Sequence, residues 1–238
     1  MLRNAWNKML VNTARRTLET KTKTPYQNLL TFQPKQHFSG VDRFLNRLQR
    51  PLYQYLIGAN LVIYLAWNTN FVSKQFLYDN FTLSLNTINR GRFHTFFTYS
   101  FSHINFMHMF FNMFTLYFFG RFTEMIFSKK TLLHLYLIGA LSSAFLIHAS
   151  NRQYNNYFPT VGASGATSAI LAYYILNFPT QPILLFFFPV PAWMVGALLF
   201  IQSFMMYDGR GGISGSGHMG GLIGGVVYFL LTKGKGRY

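Results

Sequence analysis

Five polar side chains draw attention in stretches that are mostly apolar: His103, His108 and Asn112 in one uncharged run, Ser164 at the head of a second, and His218 at the head of a third. Polar groups in such runs are costly, so their presence points to function. A serine hydroxyl becomes a nucleophile when an adjacent neutral imidazole takes its proton, and imidazole N–H and Asn amide donors are what an oxyanion hole requires. His108 and Asn112 are four residues apart and share a helix face. His103 lies five residues before His108, about 140° round the helix at ~100° per residue, and near its mouth. Ser164 sits in Gly162-Ala163-Ser164-Gly165, where minimal side chains allow a tight backbone and close helix approach. A helix start there also supplies free N–H groups to face a developing oxyanion. Gly217, Gly221 and Gly225 recur at every fourth residue, a ridge able to press on Gly165, Ala166, Ala169 and Ala172 and so bring His218 to Ser164. Two packing helices with an incidental Ser and His carry the same pattern. A metal site is the rival for the histidines, but zinc hydrolases place two His at i and i+4 with a Glu between them. Here the spacing is wrong and no acid lies nearby, so no metal is assigned.

The elements that must position these groups follow from composition. Of 238 residues, 50% are hydrophobic, 19% aromatic and only 11% charged, far below the roughly quarter expected of a soluble surface. The absence of Cys excludes a disulfide-stapled domain, zinc-thiolate sites and a Cys nucleophile. Runs free of Lys, Arg, Asp and Glu cover 52–67 (with an end near Phe71), 104–119, 132–149, 164–178, 183–206 and 217–232. A span needs about 20 mostly apolar residues, so these are read as six spans, several of them short. Pro189 and Pro191 place the start of the fifth helix at Pro191. The expectation is an all-α membrane protein, a six-helix transmembrane bundle occupying 52–232. A soluble helical core would leave too few charged residues to cover its outer face.

The net charge of +16 invites a nucleic-acid reading, but ten of the 21 Lys and Arg precede Pro51. Basic tails beside apolar segments read as topology signals, so nucleic acid is not an expected partner. With six spans both termini share one side, which collects 16 basic residues against 5 opposite: Lys74, Arg90, Arg92, Arg152 and Arg210. The termini are therefore expected on the cytoplasm-like face, the matrix in a mitochondrion. Residues 1–25 carry Arg3, Lys8, Arg15 and Arg16 before the first acid, Glu19, with Leu2, Trp6, Met9 and Leu10 at helical spacing. That is the pattern of a mitochondrial presequence or a membrane-surface helix. Residues 26–51 are expected to form a polar, irregular interfacial linker and 233–238 a basic tail.

From Arg92 to Gly225 the chain resembles the rhomboid intramembrane serine proteases. "GRFHTFFTYSFSHINFMHMFFNMFTLYFFGRFTE" is similar to the family's first loop and second span, "VGASGA" to its nucleophile motif, and "GHMGGLIGG" to its His-x-x-Gly-x-x-x-Gly motif. "FPTVGASGA" and "FFPVPAWMVGALLFIQSFMMYDG" look most like the mitochondrial, presenilin-associated rhomboid-like branch. The resemblance implies a six-helix rhomboid-like bundle in the mitochondrial inner membrane. It makes Ser164 the nucleophile and His218 the base, with His108, Asn112 and the Ser164 N–H as oxyanion hole. His103, Arg92 and Glu124 would be structural, as would Gly162, Gly165, Gly221 and Gly225. Gly91 stands where many members have Trp, and Gly217 replaces the usual Ala; neither removes a catalytic group.

A Ser-His dyad without a third member is expected. Asp79 and Asp208 are the acids in loops on the correct side, and a buried third member should sit on a packed element beside the base. The implied activity is cleavage of transmembrane segments through an acyl-enzyme on Ser164, with no cofactor and with membrane lipid and transmembrane proteins as partners. The alternatives are a non-proteolytic rhomboid-fold subunit of a mitochondrial inner-membrane complex of respiratory type and a chaperone that binds transmembrane helices, since fold does not fix function.

Overall fold

A computed structural model describes residues 40–185, 188–207 and 214–233. Residues 39–229 form one compact unit; of a second unit, 1–38 with 230–238, only the end of the last helix is described. The presequence-like segment 1–25, most of the 26–51 linker and almost all of the C-terminal tail lie outside the described residues, as do Asp208 and Arg210.

The first described element, α1 (Gly40–Arg47), corrects the expectation of an irregular linker. Leu45 is its one buried residue, and the Lys129 ammonium donates to the carbonyls of Leu45, Leu48 and Arg50 just beyond it. Cations at a helix C-terminus satisfy carbonyls that have no intrahelical partner. The helix α2 (Leu52–Asn68) follows Pro51, whose fixed φ suits a helix start. No side chain of its own caps it. Instead Glu124 accepts from the Leu52 and Tyr53 N–H groups at 3.0 and 3.1 Å, an anion at the positive end of the helix dipole.

The connection after α2 is built, not loose. It contains α3 (Lys74–Phe81), α4 (Leu85–Asn89), α5 (Thr95–Thr98) and a 3-10 turn (Tyr99–Phe101). Ser84 and Thr87 form a reciprocal capping box on α4. Arg92 bonds Asp79 at 3.1 Å and Asn80 at 3.3 Å, and Arg90 pairs with Asp79 at 3.5 Å. Residues of the turn are then pinned from three directions: Trp67 Nε1 donates to Ser102 Oγ at 2.6 Å, Tyr136 Oη to the Ser100 carbonyl at 2.9 Å, and Tyr99 Oη to the Ala140 carbonyl at 2.9 Å.

Then come α6 (Phe106–Thr115), a π-turn (Leu116–Gly120) and α7 (Arg121–Ile126), continuous over 21 residues, about 31 Å at 1.5 Å per residue. The helix α8 (Lys129–Gln153) is started by Ser128, which accepts from Thr131 N. It is long and apolar enough, by length and composition, to cross a membrane. Central to the unit is α9 (Ser164–Asn177), with nine of its fourteen residues buried, so that it is packed on nearly every side. A two-stranded antiparallel hairpin, β1 (Pro182–Leu185) with β2 (Phe188–Pro191), pairs Pro182 with Pro191 and Leu185 with Phe188. It leads into α10 (Ala192–Met205), apolar but shorter than α8. The last described element is α11 (Gly215–Lys233).

A helix thus lies in each uncharged run, the fifth starting after Pro191 as expected. The run 183–206 is a hairpin as far as Pro191 and a helix only after it, because two prolines two residues apart cannot both sit inside a helix. The interior is an apolar core that also takes polar groups, and large apolar side chains are left exposed along the helices. Asn60, Thr95, Ser102, His103, Thr123, Ser143 and Ser203 are buried, whereas Phe106, Phe110, Phe114, Phe118, Leu198, Ile201 and Phe204 are exposed.

Three helices meet almost without side chains. A Cβ on Gly221 would collide with the Gly165 carbonyl, one on Gly225 with the Ala169 carbonyl, and one on Gly165 with the Ser143 side chain. Gly139 of α8 faces Ala169 of α9 in the same way, at 2.6 Å. Gly221→Leu is therefore expected to cost about 3 kcal/mol or more and to lower the melting midpoint in detergent well below that of Ser164→Ala; equal midpoints would contradict the contact. Glu124→Ala removes the cap of α2 and is expected to cost about 1 to 2 kcal/mol, read as a lower melting midpoint with the protein still folded.

Candidate active site

The approach to Ser164 is held by backbone. Leu83 and Thr160 exchange N–H to carbonyl bonds at 2.9 and 2.8 Å, and Gly162 N–H donates to the Tyr99 carbonyl at 3.0 Å. Gly162 then takes φ +131, a conformation open to glycine and costly for any other residue. Its missing side chain is needed a second time, because a Cβ there would lie 2.6 Å from the His108 ring. Ala163 N–H donates to His103 Nε2 at 3.3 Å, and Ser164 opens α9. N–H groups of a first helical turn have no intrahelical acceptor, and here they lie beside the His108 ring that covers Gly162.

The second element is α6. Asn105 caps it, accepting from His108 N at 3.1 Å. The His108 and His103 rings meet edge to face, with centroids 5.0 Å apart. His103 is fully buried, and because Nε2 accepts from Ala163, its proton lies on Nδ1. One turn beyond His108, the buried Asn112 donates from Nδ2 to the His108 carbonyl at 2.8 Å and accepts at Oδ1 from Thr167 Oγ1 of α9 at 3.1 Å.

The third element is α11. Ser214 receives the Gly217 N–H on its hydroxyl at 3.2 Å and the His218 N–H on its carbonyl at 3.1 Å. From α8, the Ser143 hydroxyl donates to the Gly217 carbonyl at 2.6 Å. His218 stands three residues before Gly221, on the same helix face, and Gly221 rests on Gly165, the neighbour of Ser164. Of the ridge expected from sequence, Gly221 and Gly225 meet the small face of α9 at Gly165, Ala169 and Ala172, whereas Gly217 lies against Ser143 and Ile147 of α8. Among the described residues, the Ser164 hydroxyl and the His218 ring make no side-chain hydrogen bond. Catalytic bonds of this type are often long in the unliganded state and tighten with substrate.

The structure brings Ser164, His103, His108, Asn112, Gly162, Gly165 and His218 to one end of the α6–α9–α11 packing, with Gly225 one turn further along the same seam. It places Arg92 and Glu124 elsewhere: Arg92 ties the first connection through Asp79 and Asn80, and Glu124 caps α2. Glu124 is twelve residues from Asn112 along one helix, about 18 Å. Asp79 is engaged by both Arg90 and Arg92, and Asp208 lies outside the described residues. Among the described residues, no three His, Asp or Glu side chains converge to hold a metal ion.

Sequence reasoning missed Asn105, Ser143 and Thr167. Asn105 carries a legible signal, an N-cap residue three before His108. Thr167 lies one turn from Ser164 and so on its face. Ser143 carries none, since nothing in its own helix relates it to Gly217.

A family model described as the Rhomboid domain matches residues 90–235. RHOMBOID-like protein 12, mitochondrial, of Arabidopsis thaliana is 35% identical over 226 residues, 85% of this chain and 67% of that protein. Presenilin-associated rhomboid-like protein A, mitochondrial, of Danio rerio is 27% identical over 198 residues, 80% of this chain and half of that protein. The human presenilin-associated rhomboid-like protein, mitochondrial, is 27% identical over 135 residues, 54% of this chain and 35% of that protein. With a Rhomboid family model matching residues 90–235 and a relative 35% identical over most of the chain, the chain belongs to the rhomboid family.

Proposed function

We propose that the chain is an intramembrane serine protease that cleaves transmembrane segments with Ser164 and His218. The observation that carries this reading is the seating of Gly221 on Gly165, which puts the helix bearing the imidazole against the helix that begins with the hydroxyl. In the proposed reaction His218 takes the Ser164 proton as Oγ attacks the scissile carbonyl carbon. The resulting oxyanion accepts hydrogen bonds from His108, the Asn112 amide and the Ser164 N–H. His218 then hands the proton to the departing amine as the C–N bond breaks, leaving an ester on Ser164. Water, deprotonated by His218, attacks that ester, and return of the proton to Oγ restores the enzyme. A substrate helix must unwind to present its carbonyl, which favours Gly, Pro and other weak helix formers near the cut.

The setting is read from surface and charge. Exposed Phe106, Phe110, Phe114 and Phe118 along one helix and Leu198, Ile201 and Phe204 along another suit contact with lipid. Six spans, with the termini on the more basic side, would open the site to the opposite compartment. The word mitochondrial in the names of the relatives supports a mitochondrial setting, and there the charge bias reads as the inner membrane with the termini in the matrix and Ser164 toward the intermembrane space. The second reading, a non-proteolytic subunit of an inner-membrane complex, is favoured by one observation, that no hydrogen bond joins Ser164 to His218 among the described residues.

The two readings separate on reactivity. Wild-type protein in detergent is expected to react with a fluorophosphonate probe and to cleave a model transmembrane substrate. Ser164→Ala should lose both, with its melting midpoint little changed, because only a hydroxyl leaves a small-residue face. His218→Ala should lose cleavage too, and the double variant should be no slower than either single one, as befits one catalytic unit. Appreciable cleavage by Ser164→Ala would end the dyad assignment, and a wild-type chain inert to probe and substrate would favour the subunit reading. Topology has its own test. A C-terminal tag is expected to survive external protease in intact mitoplasts, and its loss would overturn the orientation.

A further inference from the structure

Thr167 lies one turn below Ser164 on α9 and is 5% exposed. Its hydroxyl reaches two acceptors at 3.1 Å, the Ser164 carbonyl of its own helix and Asn112 Oδ1 on α6. The direction of the second bond is settled by the other end of the amide. The His108 carbonyl can only accept, so the group 2.8 Å from it is Asn112 Nδ2, and Oδ1 must be the atom facing Thr167. The amide is thus held at Nδ2 by the His108 carbonyl and at Oδ1 by the Thr167 hydroxyl, whose single proton is shared with the Ser164 carbonyl. The second Nδ2 hydrogen has no partner among the described residues.

We infer that Thr167 is a positioning residue, whose hydroxyl fixes the Asn112 amide so that its second N–H is aimed at the oxyanion formed on Ser164. The inference rests on the proteolytic reading above and extends it. Neither Thr167 nor its spacing distinguishes it from a helix-filling residue, since a Thr hydroxyl bonding the carbonyl one turn back is ordinary; the bond across to α6 gives it the further role. Without it the amide would be tethered only at the His108 carbonyl and would pivot about that bond. An oxyanion donor must be in place before charge develops to have its full effect, so the loss falls on the chemical step and not on substrate binding.

The test uses the full chain in detergent with a transmembrane peptide substrate. Thr167→Val, which keeps the shape and removes the hydroxyl, is expected to lower kcat about tenfold to a hundredfold at unchanged KM, somewhat less than loss of a whole oxyanion donor. Thr167→Ser, which keeps the hydroxyl, should return kcat to within about threefold of wild type on the same argument. Unchanged kcat in Thr167→Val, or equal losses in both variants that follow a falling melting midpoint, would overturn the inference. A second measurement is independent of turnover. With 15N-labelled asparagine, the side-chain amide pair assigned to Asn112 by its disappearance in Asn112→Ala should shift and exchange faster in Thr167→Val but not in Thr167→Ser. An unmoved pair in Thr167→Val overturns the tether even if the enzyme cleaves. A wild-type chain that fails to cleave while the pair behaves as expected overturns the proteolytic reading and leaves the tether standing.

Discussion

The contact on which the rest of the unit depends is the approach of two helix backbones at Gly221 and Gly165, with Ser143 of a third helix wedged beside them. In lipid there is no hydrophobic drive to push helices together, so association relies on close van der Waals contact and on hydrogen bonds between helices. Both are present here. Gly221 and Gly225 let α11 lie on the carbonyls of α9, and the Ser143 hydroxyl donates to the Gly217 carbonyl at 2.6 Å. The same contact that holds the fold sets the separation of Ser164 from His218, so packing and chemistry cannot be varied independently at this seam.

Around that seam the polar groups form a chain of obligations. Asn60 donates to Tyr136, Tyr136 to the Ser100 carbonyl, and Tyr99 to the Ala140 carbonyl, while the Tyr99 carbonyl receives Gly162 N–H. Each of these groups would be expensive to bury alone. Together they link α2 and α8 to the 3-10 turn whose Tyr99 carbonyl holds Gly162, two residues before Ser164. The proposed oxyanion donors have a comparable support: Asn105 starts the helix that carries His108, Ala163 N–H donates to His103, and Thr167 donates to Asn112. Support of this kind keeps a site within a fraction of an ångström of its working geometry.

The remote acid shows how the two ends of the unit are joined. Glu124 is one of only five acidic residues in the chain, and it is spent on the N-terminus of α2 through the Leu52 and Tyr53 N–H groups. A carboxylate on the helix that also carries His108 thereby orients the helix that carries Trp67, whose indole bonds Ser102 next to His103.

Sequence by itself determined the helical runs and the identities of the chemical groups, because both depend on local composition. Uncharged stretches mark where helices lie, and Ser164, His108, Asn112 and His218 stand out as polar residues within them. The glycine spacing also announced which faces would meet, since a four-residue repeat of small residues leaves a continuous strip free of side chains. It did not reveal α1 within the polar linker, because eight residues with one buried leucine hold their helix through Lys129, far away in the chain. Nor did it reveal that the segment before α10 folds back as a hairpin, since an apolar run with prolines has no period that separates strand from helix. Ser143, Thr167 and the cap donated by Glu124 were decided by tertiary structure alone. Each acts through a bond to another helix, and the distance across that bond depends on how three helices pack and not on the spacing within any one of them.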